Sequence, residues 1–282
     1  MSYKDILVHI DASQACAARL ATALALARRF SAQLTGCYVA RPSLFSPFLA
    51  DQFPKAVQDE AGARWAERRE RAQALFAGAS RGVEPAPLWR EAEGEDAAAL
   101  LTAAARLADV TILSQVDPEA RGSRDDAALP ELVALGAGRP VLVLPYTAPA
   151  ERALPLGERV MVAWNASAQA TRAVNDAMPL LAGAKRVVVL AVNPEQGPRG
   201  HGAVPGADLA LHLARHGVKA EAGAIQAEDV EVGSMLLSRA ADEGVDLIVM
   251  GVYGHSRLRE LTLGGVSRHL FEHMTVPVFM SH

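Results

Sequence analysis

The sequence is poor in cysteine, in aromatic residues and in any surplus of positive charge. Cys16 and Cys37 are the only cysteines in 282 residues, which excludes a disulfide scaffold and a cysteine-rich zinc site. Aromatic residues make up 5% of the chain, and 28 Lys and Arg are outnumbered by 32 Asp and Glu. A net charge of −4 and a pI near 6.1 leave no basic field for nucleic acid or an anionic membrane surface. No run approaches the ~18–20 apolar residues that a spanning helix needs. The opening Met1-Ser2-Tyr3-Lys4-Asp5-Ile6-Leu7-Val8 is too charged, and its apolar run too short, for a secretory signal. These absences predict a cytoplasmic protein with no membrane and no nucleic-acid partner. What is abundant is apolar: half of the residues, against 21% charged, enough for a sizeable core. The length is about twice the ~100–150 residues of a common domain and predicts two of them.

The two halves can be laid over each other. Asp5-Ile6-Leu7-Val8-His9-Ile10-Asp11-Ala12-Ser13 has a counterpart in Arg159-Val160-Met161-Val162-Ala163-Trp164-Asn165-Ala166-Ser167. Ala108 to Ser114 matches Val245 to Gly251, and Arg139 to Leu144 matches Val276 to Ser281, both at one offset of 137 residues. A shared register over that stretch reads as duplication of a whole domain, since solenoid units repeat every ~20–50 residues. Strands are expected near 5–10, 33–39, 86–91, 109–114 and 140–145, then near 159–164, 186–192, 218–225, 245–251 and 277–281. Their near-continuous Val, Ile and Leu suit parallel strands buried on both faces. Alternation with helical segments predicts two doubly wound α/β sheets. The domains are placed at 1–146 and 158–282, with a linker at 147–157. Half one adds a long charged helix over 51–79, with Val57, Ala61, Trp65, Leu75 and Phe76 near one side. Half two has there a Gly/Pro-rich loop, Pro194 to Gly206, and a shorter helix over 207–216.

A glycine motif follows the fourth strand of half two: Gly251-Val252-Tyr253-Gly254, nine residues, then Gly264-Gly265-Val266-Ser267 opening a helix through His273. Glycine lets a backbone turn sharply and approach a ligand with no Cβ in the way. A helix starting at Gly264-Gly265 presents unpaired N–H groups and partial positive charge, a setting for phosphate oxygens. The Ser267 hydroxyl is a further donor. The plainer reading is that these glycines only form turns and caps.

With this motif, Val162-Ala163-Trp164-Asn165-Ala166-Ser167, Ile248-Val249-Met250-Gly251 and the closing Val276-Pro277-Val278, the whole chain resembles the tandem universal stress protein family. The resemblance implies five-stranded parallel sheets of order 3-2-1-4-5 and, in many members, an ATP site at the ends of strands one and four. That is also where the strand order reverses and open α/β sheets bind ligands. Carried over residue by residue, it implies Ala163 and Asn165 beside the adenosine and Val192 against the base. Met250, Gly251 and Gly254 would border ribose and phosphates, and Gly264, Gly265, Val266 and Ser267 would hold the phosphates. ATP, with or without Mg2+, is the implied ligand. Two departures stand out. Asn165 replaces the family's usual acid, which removes a charged or metal contact, and Gly265 lacks the hydroxyl usual after the third motif glycine.

Half one keeps Asp11 and Ser13 but not the glycines. At the offset of 137, Gly251, Gly254, Gly264, Gly265 and Ser267 align with Ser114, Asp117, Ala127, Ala128 and Pro130. Asp117, Asp125 and Asp126 put negative charge where phosphates would lie, so this site is expected to take no triphosphate. Asp11 reads as a cap for the following helix, with a polar ligand as the other option.

Other candidates are weaker. His212/His216 and His269/His273 each share a helix face, but no third ligand lies near either pair, and solvated histidines are expected. His255, Arg257 and Arg259 follow Gly254, where a cation would meet phosphates or simply face water. Trp89 and Trp164 are expected in the core, and the charged run Trp65 to Arg71 on a wet helix face. No Gly-x-Ser-x-Gly elbow, no P-loop lysine and no Cys/His pair at useful spacing is present, so no catalytic residue and no metal site are assigned. The leading reading is a nucleotide-binding stress or signalling protein acting through an unidentified protein partner. The alternatives are a slow ATPase and a non-nucleotide or chaperone-like module. The last strand of each half lies at a sheet border, where exposed edges pair. In the family these strands pair between domains, which implies an intramolecular pseudo-dimer with pseudo-two-fold symmetry. A homodimer of the whole chain stays open.

Overall fold

The computed structural model describes residues 2–40, 53–94, 96–119, 128–150, 152–194, 204–227, 230–252, 254–255 and 262–282. Strands and helices alternate through both halves. The first runs β1 (Asp5–Ile10), α1 (Ala15–Phe30), β2 (Gln33–Ala40), α2 (Lys55–Ala79), β3 (Leu88–Glu93), α3 (Ala97–Ala105), β4 (Val110–Ser114), α4 (Leu129–Gly136) and β5 (Val141–Leu144). The second runs β6 (Arg159–Ala163), α5 (Ala168–Leu181), β7 (Arg186–Val192), α6 (Ala207–Arg215), β8 (Ala220–Ile225), α7 (Val232–Asp242) and β9 (Leu247–Gly251). A hairpin, β10 (Gly254–His255) and β11 (Thr262–Leu263), then α8 (Gly265–His273) and β12 (Val278–Ser281) complete it.

The chain divides into two compact units. One holds Tyr3–Val133 with Ala148–Leu154, and the other Met1–Ser2, Ala134–Thr147 and Pro155–His282. In the first unit the strand order is β3-β2-β1-β4, all parallel. In the second, β8-β7-β6-β9-β12 is parallel and has the order 3-2-1-4-5 within the repeat. There β5 pairs antiparallel with β12 through Val143↔Val278 and Val141↔Met280. Both strands are buried along their whole length and apolar except for Ser281, whose hydroxyl donates to Asp176 Oδ2 at 2.8 Å.

The duplication extends to single hydrogen bonds. The Asp109 carboxylate accepts from the N–H groups of Lys4 and Asp5 at 2.6 and 3.1 Å. Its counterpart Asp246 accepts from Gly157, Glu158 and Arg159 at 2.7–3.1 Å. Each ties the start of a first strand to the start of its fourth.

Several elements differ from the sequence expectation. β3 begins at Leu88 and not near 86; among the described residues it pairs with β2 alone and is half-exposed, so apolar content does not mark its ends. Helix α2 begins at Lys55 and buries Ala61, Ala72 and Phe76, while Val57 is exposed. Its charged residues from 66 to 71 are exposed, as expected, and Arg69 among them forms a two-bond surface ion pair with Glu91 on β3 at 2.8 and 3.0 Å. Trp89 is half-buried, stacks on Tyr38 with centroids 5.8 Å apart, and donates to Glu91 at 3.0 Å. Trp164 is half-buried as well, so neither indole is a core residue. Part of the connector is held: the Leu154 N–H donates to Thr22 Oγ on α1 at 3.2 Å.

Candidate functional site

β6 and β9 lie side by side, with Ala163 opposite Met250. The chain order reverses between them, β7 and β8 lying beyond β6 and β12 beyond β9. The crevice beyond the carboxyl ends of such strands is the general ligand site of open α/β sheets. Ala163, Asn165, Val192, Met250 and Gly251 all reach this edge, as the last residues of their strands or just past them. Met250 is buried, and Ala163 and Val192 are half-buried. β9 and β12 are parallel, so α8 between them must start at the same edge.

Hydrogen bonds within the turn fix its shape at β6. Asn165 Oδ1 accepts from the Ser167 N–H at 3.2 Å and the Ser167 hydroxyl at 2.7 Å. Ser167 Oγ in turn accepts from the Ala170 N–H at 3.1 Å and caps α5. Ala166 between them sits at φ +56°, a left-handed conformation that costs a non-glycine residue ~1–2 kcal/mol. Gly251 serves this turn too. A Cβ there would lie 2.4 Å from the Ala170 nitrogen and 2.5 Å from the Gln169 carbonyl carbon. Only a glycine lets the start of α5 press on the end of β9 this closely. Gly251→Ala is therefore expected to cost about 1–3 kcal/mol by overpacking, read as a lower urea midpoint with an unchanged slope.

The α8 terminus is built differently. Gly264 is its N-cap at φ −63°, ψ 153°, with no side-chain cap, and Gly265 is exposed with open space where a Cβ would lie. The first N–H groups of the helix have no partner within it. The backbone of Gly254 pairs with Leu263 in the β10–β11 hairpin, which brings the chain back to this start. Val266 is half-buried and Ser267 is 3% exposed, so the backbone is the accessible part of the terminus. Arg257 and Arg259 lie outside the described residues, as do Asp125, Asp126 and Ala127 in half one.

The corresponding edge of half one is filled by the protein itself. Arg19, from α1, is 2% exposed and its guanidinium pairs with Asp11 Oδ2 at 2.9 Å. It also donates to the His9 carbonyl at 2.6 Å and to Ser114 Oγ at 3.0 Å. Ser114 is the residue that aligns with Gly251. Asp11 is not the helix cap expected from the sequence: Gln14 holds that position. Asp11 Oδ1 accepts from the N–H and hydroxyl of Ser13 at 2.9 and 2.5 Å. Burial pushes the Asp11 pKa up, but Arg19, His9 and the Ser13 donors outweigh it and hold it well below the usual carboxylate range. Arg19 escaped the sequence reading because an arginine in an Ala-rich helix looks solvated.

The histidines separate into two kinds. His212 on α6 and His216 at its C-cap have ring centroids 4.8 Å apart, as His269 and His273 on α8 have at 4.5 Å. His269 is only 14% exposed, with Glu231 Oε at 2.8 Å from Nδ1 and Ser234 Oγ at 3.1 Å from Nε2. Among the described residues no group of three His, Cys, Asp or Glu is arranged to hold a metal ion. Both thiols are buried and free; burial raises the Cys16 pKa and pushes Cys37 up to about 11. No described helix is long and apolar enough to cross a membrane.

The fold is a doubly wound α/β domain, present twice, whose topological switch point is the general ligand edge of such sheets. Residues 157–282 match the model of the universal stress protein family. A universal stress protein from Archaeoglobus fulgidus DSM 4304 is similar over 98% of this chain and 95% of its own, at 15% identity and a TM-score of 0.66. A Pseudomonas aeruginosa protein described as a universal stress protein is similar over 99% of this chain and 93% of its own, at 14% identity and a TM-score of 0.57. No curated protein matches the sequence significantly. The second half is a universal stress protein domain, and the chain as a whole has the fold of a tandem universal stress protein.

Proposed function

We propose that this protein binds one ATP-type nucleotide per chain, in the second half, and presents the bound state to a protein partner in a stress or signalling response. The observation that carries this reading is the start of α8: a helix N-terminus with a glycine cap, no side-chain cap and an open first residue, at the edge where β6 and β9 end. Unpartnered N–H groups and the helix dipole favour phosphate oxygens. Ala163, Val192 and Met250 offer the apolar wall for adenosine. The Asn165 oxygen already accepts two hydrogen bonds, so a Mg2+ ion would arrive on the phosphate oxygens and take no carboxylate from this turn. In half one the guanidinium of Arg19 and the carboxylate of Asp11 occupy the equivalent edge.

Isothermal titration of the full chain with ATP and Mg2+, paired with native mass spectrometry, tests the reading. One nucleotide per chain is the expected result. No heat and no adduct at millimolar nucleotide would overturn it.

A further inference from the structure

Two helices of the second unit place a hydroxyl, an imidazole and a carboxylate in line. Ser234 lies in the first turn of α7, Glu231 is its N-cap residue, and His269 reaches across from α8. The Ser234 hydroxyl is 3.1 Å from His269 Nε2, and Glu231 Oε is 2.8 Å from Nδ1. With the ring proton on Nδ1, Nε2 accepts from the hydroxyl while Nδ1–H donates to the acid, the polarity of an activated serine. The ring is positioned by packing as well: a Cβ on Gly233 would lie 2.6 Å from His269 Cδ2, so the imidazole rests on the backbone of the α7 start. Ser234 is half-buried and Glu231 exposed, which leaves the hydroxyl within reach of a small solute. The N–H groups of Val232, Gly233 and Ser234 open α7 and have no partner within the helix, a source of donors for a developing oxyanion.

We propose that Ser234, His269 and Glu231 form a nucleophile, base and positioning acid for acyl transfer from small esters, at the start of α7 and one turn inside α8. Ser234 Oγ bonds to the ester carbonyl carbon as its proton passes to His269 Nε2. The carbon–alkoxy bond breaks, and the leaving alcohol takes that proton. Water then attacks the acyl-serine, its proton going to Nε2 and on to Oγ as the acyl–serine bond breaks. Ester and water become acid and alcohol. Glu231 acts through the imidazole and touches no substrate.

The test uses the full chain with 4-nitrophenyl acetate, and separately a fluorophosphonate probe followed by peptide mass mapping. Label on Ser234, and a nitrophenolate burst near one equivalent, are the expected results. General-base assistance is worth ~10²–10⁴-fold; Ser234→Ala is expected to abolish the burst and lower the steady rate at least tenfold. Alanine suits a helix position, so this variant keeps its fold, checked by an unchanged melting temperature. Glu231→Gln is expected to lower kcat at least tenfold with KM and melting temperature unchanged. Absence of label on Ser234, or wild-type kcat in either variant, would overturn the proposal. The labelling does not involve nucleotide, so a failed ATP titration leaves its outcome intact.

Discussion

Arg19→Ala is expected to lower the stability of the first unit by about 3–5 kcal/mol, the range for removing one partner of a buried ion pair. The loss has identifiable parts. Asp11 would keep its charge but lose the guanidinium at 2.9 Å, and the His9 carbonyl and Ser114 hydroxyl would each lose a donor. A compensated double change should cost far less, because a buried pair can often be replaced by apolar groups at little net cost. The second half supplies the pattern: Asn165 and Ala173 stand where Asp11 and Arg19 stand, 154 residues on, as Arg159 stands to Asp5. Asp11→Asn with Arg19→Met, which keeps most of the volume, is expected to lie at least 1 kcal/mol above Arg19→Ala in urea titrations. Equal destabilisation by the two would show that the charge pair is not what holds this edge. The depressed Asp11 pKa sets the pH signature. Folding favours its charged form, so the contribution is complete above the unfolded value of ~3.9 and is lost as pH falls below it. Asp11→Asn should flatten the acid limb of the stability curve below about pH 4.

The ordering of these elements was legible in the sequence because burial on both faces writes parallel strands as unbroken apolar runs. Val141–Leu144, Val160–Val162 and Leu247–Met250 are buried throughout, and nothing but a central strand fits such short runs between helical segments. Edge strands were less legible. β3 and β8 are half-exposed, and the expected starts near 86 and 218 fall two residues before Leu88 and Ala220. The repeat was visible because Asp109 and Asp246 keep the same hydrogen-bonding task at the same point of each sheet.

Single interactions across long separations were not legible. Ser234 and His269 are 35 residues apart, and His269 shows in sequence only its i,i+4 partner His273. Arg19 and Ser114 are 95 apart, and no local pattern marks a guanidinium turned inward. Gly251 was visible as a motif glycine, but its packing task was not: the Cβ that its position forbids would strike the backbone of Gln169 and Ala170, which becomes apparent only once α5 lies on β9. Periodicity reports which face of an element is buried and carries no information on which neighbour it meets.

Gly265→Glu is expected to cut ATP affinity roughly ten- to a hundredfold while leaving the fold at least as stable as the wild type. The two effects separate because Gly265 is exposed and, among the described residues, no atom beyond its chain neighbours and its own helix backbone lies within 4 Å of its Cβ position. The side chain therefore enters without strain. A glutamate in the first helical turn also complements the helix dipole by ~0.3–1 kcal/mol, and replacing glycine in a helix adds to that. The same carboxylate stands in front of the N–H groups proposed to hold the phosphates, where it repels them and competes for the donors. Losing one hydrogen bond to charged oxygen costs ~1.5–3 kcal/mol, which sets the expected range of affinity. The changes Asp117→Ala and Ala128→Glu provide the control, since they fall at the aligned positions of the half whose edge Arg19 fills. They should leave affinity within about twofold. Calorimetric titration gives affinity and stoichiometry together, and a melting curve on the same sample reads the fold. An unchanged affinity in Gly265→Glu, or two nucleotides per chain in the wild type, would move the site away from the start of α8.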